Sequence, residues 1–299
     1  MNGLVAIDWG TSSLRAALLD GQGSVVEERT LPGGILAVPA GGFPAAFAQA
    51  TAGWDAPGRL HLVCGMAGSR QGWLEAPYCP CPTGFAQVAS HLAWIEPGRI
   101  AIVPGMSCEP DGVPDVMRGE ETQVFGALAL LGSSPASLVL PGTHSKWVQV
   151  SGGRIVSFTT FMTGEIYALL RRQSILARTL PEDDGALDRG AFEQGVRHAQ
   201  RRANLLASAF SARTLGLFDR LEAAAAPSYL SGLVIGEELR SQSLGAGGTL
   251  VVVGADALTR RYCLALELLG VDATAVGAEA TWLGLWSIAR ALEKEHGRS

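Results

Sequence analysis

The sequence predicts a two-domain α/β protein, residues 1–134 and 135–299, each domain a mixed sheet flanked by helices. Three observations predict it. Apolar runs of strand length alternate with stretches of helical periodicity along the chain. A strand–turn–strand unit, "VAIDWGTSSLRAALLD", opens the sequence, and a unit of the same build, "SLVLPGTHSKWVQVSGGRIVSFTTF", returns about 130 residues later. The 38 glycines fall mostly at strand ends and turns. Two units of one build suggest two related halves facing a common cleft.

Residues 5–7 read as a buried strand and 14–19 as a second, with 24–29 completing a meander after the turn "DGQG". "FPAAFAQATAGW", from Phe43 to Trp54, has helical spacing. Residues 60–66 form a strand that ends in a Gly-rich loop carrying Arg70, and "RIAIVPG" is another strand. "GEETQVFGALALLG" begins with Glu120 and Glu121 and continues with apolar residues at 124, 125, 128 and 131. That is an amphipathic helix with acidic charge at the end where the helix dipole favours it. From Glu165 to about Glu238 the chain reads as dominantly helical. "TLVVVGADALTRRYCLALELLG" is a buried strand, a Gly-Ala-Asp turn and a helix; residues 271–276 are a short strand before the C-terminal helix "AEATWLGLWSIARALEKE".

Composition narrows the function. With 299 residues, 47% hydrophobic and 17% charged, the chain can build a sizeable core. A net charge of −5 argues against a protein that coats nucleic-acid phosphates, while leaving room for one locally positive nucleotide site. No run of eighteen apolar residues offers a membrane span, and "MNGLVAIDWG" lacks the pattern of a secretion signal, so a soluble cytoplasmic protein is expected. The five cysteines, at 64, 79, 81, 108 and 263, show no second pair with zinc spacing and read as reduced thiols. No Walker A motif is present, which argues against a P-loop kinase.

The first turn poses the chemical question. Asp8 ends an apolar strand directly before Gly10, Thr11, Ser12 and Ser13. Such small and hydroxyl-bearing residues let backbone amides approach an anionic oxygen and add donors of their own. An aspartate repels phosphate, so beside one it needs a divalent cation, Mg2+, between them. An ordinary hairpin with a surface aspartate is the other reading of the same residues.

The ordered set "DWGTSSLR", "GEETQVFGALAL", "PGTHSKW", "VVVGADALTRRY" and "GAEATWLGLWSIA" resembles the actin, hexokinase and chaperone ATPase superfamily. In that superfamily two phosphate turns, an adenosine turn and two connecting helices follow one another in this order. The strings "CGMAGSRQGW", "VPGMS", "DVMRGEETQVFGAL", "LPGTHSKWV", "FTTFMTGEIYALL" and "AEATWLGLW" further resemble the 2-dehydro-3-deoxygalactonokinase family. The resemblance implies an actin/hexokinase-like fold with a nucleotide cleft between its domains, and ATP and Mg2+ as cofactors. It also implies phosphorylation of 2-dehydro-3-deoxy-D-galactonate at its terminal (6-) hydroxyl, in galactonate catabolism. The expected partners are therefore ATP and a small sugar acid, with no nucleic acid and no membrane. The rival readings are a same-fold kinase for another sugar, a sugar acid or pantothenate, and a nucleotide-gated regulatory protein that hydrolyses ATP slowly.

The resemblance also implies roles. Gly142, Thr143 and His144 would hold the other side of the triphosphate, and His144 reads equally as a hydrogen-bonded turn residue. Lys146 is either a point charge facing the cleft or a solvent-facing strand lysine. Gly254 and Ala255, without bulk, suit an adenosine lying against their turn. The superfamily's proton acceptor is a carboxylate just before the first connecting helix. Glu120 is favoured here, with Glu121 and Asp115 as alternatives. Both glutamates would also simply stabilise a helix N-terminus, by about 0.3–1 kcal/mol each. An anionic substrate asks for an arginine with two-pronged donors. Arg70, on a loop after a strand end, is favoured over Arg118, while Arg15 serves the nucleotide side or packing.

Overall fold

The computed structural model describes residues 2–132, 136–202, 204–244 and 249–296. The chain divides into two compact units. The first is Met1–Leu138 with Val148–Thr159 and Val276–Ser299; the second is Val139–Trp147 with Thr160–Ala275.

The first unit begins with β1 (Leu4–Trp9), β2 (Ser13–Leu19), β3 (Val25–Pro32), α1 (Phe43–Ala50) and β4 (Leu60–Gly65). Then follow β5 (Tyr78–Pro80), β6 (Thr83–Gly84), α2 (Phe85–Ser90), β7 (Ala93–Glu96), β8 (Ile100–Ile102), β9 (Gly105–Cys108), β10 (Asp115–Met117) and α3 (Glu120–Leu131). Among the described residues, six of these strands form a sheet of order β3-β2-β1-β4-β8-β7. β1 runs antiparallel to β2 and parallel to β4, and β4 is parallel to β8. Leu4, Val5, Ala6 and Ile7 are all fully buried, as a central strand covered on both faces requires. β3 carries Glu27, Glu28 and Arg29 at the sheet edge, where charge discourages further strand pairing. Val5, Ile7, Trp9, Phe47, Trp54 and Val63 anchor the core on one face. Each fully buried large side chain of this kind contributes about 1.5–3 kcal/mol.

Strands β11 (Ala136–Leu140), β12 (Ser145–Ser151) and β13 (Arg154–Phe161) come next, followed by α4 (Thr163–Gln173), α5 (Arg189–Arg201), α6 (Leu205–Ser208), α7 (Ser211–Leu217) and α8 (Ala226–Arg240). The chain continues through β14 (Thr249–Val253), α9 (Asp256–Leu268), β15 (Ala273–Val276) and α10 (Ala280–His296). Their sheet has the order β15-β14-β11-β12-β13-β6. Phe192, Val196, Ile235, Leu239, Val252 and Tyr262 fill the core of the second unit.

Glycines set the closest helix crossings. A Cβ on Gly126 of α3 would lie 1.7 Å from the Ala280 carbonyl oxygen, and one on Gly284 of α10 1.8 Å from that of Thr122. α10 therefore lies directly against α3, within the first unit. The α5–α8 pair is built the same way. There a Cβ on Gly195 would meet the Tyr229 oxygen at 2.1 Å, and one on Gly232 the Phe192 oxygen at 2.0 Å. No described helix is long and apolar enough to cross a membrane.

The sequence reading and the observed elements differ most between residues 66 and 119. A three-stranded sheet of order β10-β9-β5 occupies that stretch, where the sequence signals one strand. Its strands are three or four residues long, too short to display an alternation.

Candidate active site

The β1–β2 turn is held from both sides. Gly10 N–H donates to the Ser13 carbonyl at 2.9 Å, and Ile35 N–H donates to the Gly10 carbonyl at 3.0 Å. The Ile35 segment comes this close because Gly34 has no side chain: a Cβ there would lie 2.4 Å from the Ser12 nitrogen. Thr11, Ser12 and Ser13 are left exposed at the tip. Asp8, just before the turn, accepts a hydrogen bond from Arg15 Nη2 at 2.6 Å on its Oδ2. Arg15 also reaches Thr281 Oγ1 at 3.5 Å and sits over the Trp282 ring. The carboxylate is thus balanced by a cation of its own hairpin.

Parallel pairing of β1 with β4 sets Asp8 beside Cys64 and Trp9 beside Gly65, at the C-terminal ends of both strands. Open α/β sheets place ligands at that edge. The Cys64 thiol lies 4.0 Å from Asp8 Oδ1; burial, then the Asp8 charge, push its pKa well up, so it stays neutral. Gly119, at φ +103°, brings the start of α3 to the same edge, where a Cβ on it would be 3.1 Å from Gly65 Cα. Asp8, Cys64, Gly65 and the α3 N-terminus therefore converge.

The two glutamates of α3 meet different surroundings. Glu121 is fully buried, and its Oε2 accepts from Gly119 N–H at 2.7 Å. Its Oε1 is buried with no hydrogen-bond partner among the described residues. Burial first, and the neighbouring Glu120 charge second, raise its pKa to about 8. Glu120 is partly exposed, with Oε2 accepting from Arg118 N–H at 3.0 Å. Asp115, on β10, accepts from Val116 N–H at 2.7 Å.

The two candidate arginines also differ. The Arg70 side chain is 88% exposed and pairs with Glu75 at 3.3 Å. Arg118 donates from Nη2 to the Ala76 carbonyl at 2.8 Å and lies over the Tyr78 ring, 4.4 Å from its centroid. Its Nε and Nη1 are buried donors without a hydrogen-bond partner among the described residues. Sequence position alone favours Arg70; the unused donors belong to Arg118.

In the second unit, Gly142, Thr143 and His144 form the turn between β11 and β12. The first residues of α4 brace it. Glu165 N–H donates to the Thr143 carbonyl at 2.9 Å, and His144 Nε2 lies 2.6 Å from Glu165 Oε2. Lys146 is 6% exposed and donates to Thr160 Oγ1 at 2.7 Å, so it faces β13 rather than solvent. Gly254, at φ +149°, and Ala255 link β14 to α9.

Beside this turn lies a cavity of about 220 Å³. Its wall includes Gly142, Thr163 and Gly164, apolar Val234, Ile235, Ala257 and Leu258, and polar Tyr167, Asp184 and Arg261. Arg261 Nη1 donates to Ser231 Oγ at 2.8 Å, and the buried Arg171 pairs with Asp184. Burial and then the Asp184 charge push the Tyr167 phenol up to about 12. Tyr167, Arg171, Asp184 and Arg261 are absent from the sequence-derived candidates. They converge from α4, α9 and the segment between α4 and α5; Tyr167 and Arg261 fall within quoted motifs whose spacing does not single them out, and Arg171 and Asp184 fall in none.

Among the described residues no group of three or more His, Cys, Asp or Glu side chains could hold a metal ion. The carboxylate that leads the β1–β2 turn is Asp8. That suits magnesium carried on nucleotide phosphates, since Mg2+ is usually bound by one or two carboxylates plus phosphates and water.

Two units, each with a glycine- and hydroxyl-bearing strand–turn–strand and the first led by a carboxylate, are the build of the actin- and hexokinase-like class, and the family match makes this chain a kinase of it. The fold alone is shared with a Clostridium difficile activator of 2-hydroxyisocaproyl-CoA dehydratase (TM-score 0.53, 9% identity, covering 99% of this chain and 97% of that one). The chain belongs to the 2-keto-3-deoxy-galactonokinase family, whose sequence profile matches residues 8–288. It is 38% identical over 295 residues to a Rhizobium meliloti protein named "Probable 2-dehydro-3-deoxygalactonokinase", covering 96% of each chain. It is 35% identical over 292 residues to the 2-dehydro-3-deoxygalactonokinase of Escherichia coli, covering 96% of this chain and 98% of that one. A crystal structure of a Sinorhizobium meliloti protein provisionally given the same name superposes with a TM-score of 0.88 at 37% identity, covering 97% and 99% of the two chains.

Proposed function

We propose that the protein transfers the γ-phosphoryl group of ATP to the 6-hydroxyl of 2-dehydro-3-deoxy-D-galactonate, a step of galactonate catabolism. The observation that carries this reading is the 35–38% identity over nearly the full length to two relatives named 2-dehydro-3-deoxygalactonokinase, one of them as probable. The first unit's convergence of Asp8, the β1–β2 turn and the α3 N-terminus supports it physically.

Phosphoryl transfer depends on positioning and on neutralising charge. In the first unit, Asp8 would anchor magnesium while backbone amides and hydroxyls at Gly10, Thr11, Ser12 and Ser13 hold phosphate oxygens. Magnesium, when bound, supplies charge neutralisation on those oxygens. Arg15 keeps the Asp8 carboxylate oriented. In the second unit, amides at Gly142, Thr143 and His144 hold phosphate, and the neighbouring cavity takes the base. At about 220 Å³ that cavity falls below the roughly 300–1,000 Å³ of ligand pockets, so it suits part of a nucleotide. Arg118 binds the substrate carboxylate with the buried donors that have no partner among the described residues. Glu120, which is reachable, accepts the 6-hydroxyl proton as that oxygen bonds to the γ-phosphorus and the bond to ADP breaks.

An ADP-release assay across 2-oxo-3-deoxy sugar acids tests the reading. Turnover highest with 2-dehydro-3-deoxygalactonate, giving the 6-phosphate by NMR, is expected. ATP binding without turnover on any sugar acid would replace the kinase by a regulatory protein. A better substrate among the others would move the assignment to that acid.

A further inference from the structure

Glu238, near the end of α8, is 3% exposed, and among the described residues it has no ion-pair partner. Four donors converge on it instead. Oε2 accepts from Ser145 Oγ at 2.8 Å, from the Tyr262 hydroxyl at 2.7 Å and from the Thr163 hydroxyl. Oε1 accepts from Trp147 Nε1 at 2.7 Å. Burial and the adjacent Glu238 charge raise the Tyr262 pKa far above its ordinary value, so the phenol remains a donor.

Stability alone is a poor reason for this arrangement. A buried charge is costly to desolvate, and well-packed apolar residues of similar volume commonly replace such groups without loss. Val234, Ile235 and Leu239 of α8 are apolar and buried, so a leucine would suit this face of the helix. What distinguishes three of the four donors is where they come from. Ser145 directly follows the Gly142–Thr143–His144 turn. Thr163 opens α4, and the next residue, Gly164, touches the turn so closely that a Cβ would lie 2.4 Å from the Gly142 oxygen. Tyr262 lies on α9, and both it and Thr163 line the cavity beside the turn.

We propose that Glu238 is a positioning residue for the nucleotide. By accepting from β12, α4 and α9 together it fixes the second phosphate turn and the cavity wall in one geometry before the ligand arrives. Fixed donors cost no reorganisation when the phosphate binds. The inference rests on the reading above that these elements hold ATP.

The test measures ADP affinity by calorimetry, Michaelis constants for both substrates, and melting temperature. The proteins compared are the wild type, Glu238→Gln, Ser145→Ala, Thr163→Val and Trp147→Phe. Glu238→Gln should bind ADP on the order of tenfold more weakly, the scale of hydrogen bonds to a charged group. Its KM for ATP should rise in step, with KM for the sugar acid close to the wild-type value. Ser145→Ala and Thr163→Val should shift ADP affinity in the same direction by less. Trp147→Phe, whose donor comes from the strand interior, should lower the melting temperature and leave ADP affinity unchanged. Wild-type ADP affinity in folded Glu238→Gln would overturn the proposal. So would a loss that Trp147→Phe reproduces at equal destabilisation. Should Glu238→Gln fail to fold, wild-type affinity in both hydroxyl variants would overturn it equally. A wild-type protein that binds no ADP would overturn the nucleotide reading first, and this proposal with it.

Discussion

Replacing Arg118 with alanine should weaken sugar-acid binding far more than it weakens the fold. In the folded protein the guanidinium bonds the Ala76 carbonyl and covers the Tyr78 ring, while Nε and Nη1 are buried with no hydrogen-bond partner among the described residues. Truncation loses about 1.5–3 kcal/mol for the charged hydrogen bond and about 0.5–1 kcal/mol for the ring contact. It also removes two unsatisfied buried donors, each of which costs about 1–3 kcal/mol where it stands. These opposing effects are of similar size, so the net change in stability should be small. Binding has no such offset. A carboxylate that takes up the unused donors gains about 1.5–3 kcal/mol, or roughly 10- to 150-fold in Kd. Arg118→Lys should recover only part of it, because an ammonium lacks the planar fork. Arg70→Ala removes a surface pair whose arginine is 88% exposed, an interaction of about 0–1 kcal/mol, and should bind nearly as wild type. Calorimetry with 2-dehydro-3-deoxygalactonate and with its uncharged carboxamide provides the comparison. If Arg118→Ala prefers acid over amide as strongly as the wild type does, the reasoning fails and the carboxylate is held elsewhere.

Three further outcomes follow from the geometry. Asp8→Asn should lower turnover by orders of magnitude while costing only about 1 kcal/mol of stability, since the side chains of its ion pair with Arg15 remain 21% and 25% exposed; near wild-type turnover at saturating Mg2+ would remove Asp8 from the mechanism. The Glu121 pKa, raised to about 8 in the fold from the ordinary 4.5, means that the native state holds a proton the unfolded chain has released between these values. Stability should therefore fall as pH rises through that window, and Glu121→Gln should flatten the slope in denaturant titrations; an unchanged slope would show that Glu121 ionises normally. Gly164→Ala would set a methyl 2.4 Å from the Gly142 oxygen and 2.9 Å from Thr143 Cα. Both are backbone atoms, so the turn must shift. ADP affinity should drop, and an unaltered affinity would show that this turn is not needed for nucleotide.

The parts of the fold that are legible in the sequence are those whose signal is local. The first hairpin, the α3 helix and the β14–α9 unit each carry enough consecutive residues for a period to show. The stretch from Glu165 to Glu238 is helical as read, yet it breaks into α4 through α8. The α5–α8 crossing depends on Gly195 and Gly232, whose spacing carries no meaning until the two helices are seen to touch. Candidate residues divide along the same line. Asp8 and the Gly10–Ser13 turn are adjacent in sequence and stand out as a motif. The ranking of Arg70 against Arg118 depends on Ala76, Tyr78 and Glu75, which only the tertiary structure sets beside one or the other. Glu238 is hidden for a stronger reason. Its four donors are 24 to 93 residues away along the chain.

The same local-versus-tertiary distinction decides between the two glutamates at the start of α3. As sequence, Glu120 and Glu121 are interchangeable, both suited to a helix N-terminus. In the fold, Glu121 points inward beside the ends of β1 and β4, where Asp8 already carries charge. A second carboxylate buried at that edge would add repulsion in a poorly solvated place. Burial first and the adjacent Glu120 charge second keep Glu121 protonated until about pH 8. Its Oε2 still serves α3 by accepting from Gly119 N–H. A fully buried carboxyl cannot meet a substrate hydroxyl without the fold opening, whereas a general base must come within hydrogen-bond reach of the proton it takes. On the proposed reaction, Glu121 is therefore a neutral buried group that holds the helix start in place, and Glu120 is the carboxyl of the pair with access to substrate. Adjacent carboxyls pushed apart by their surroundings can divide roles in this way. Kinetics of the two glutamine variants separate the assignments: Glu120→Gln should lower kcat at every pH in the working range, while Glu121→Gln should retain most of it. The reverse result would make the buried carboxyl the base and require α3 to move during turnover.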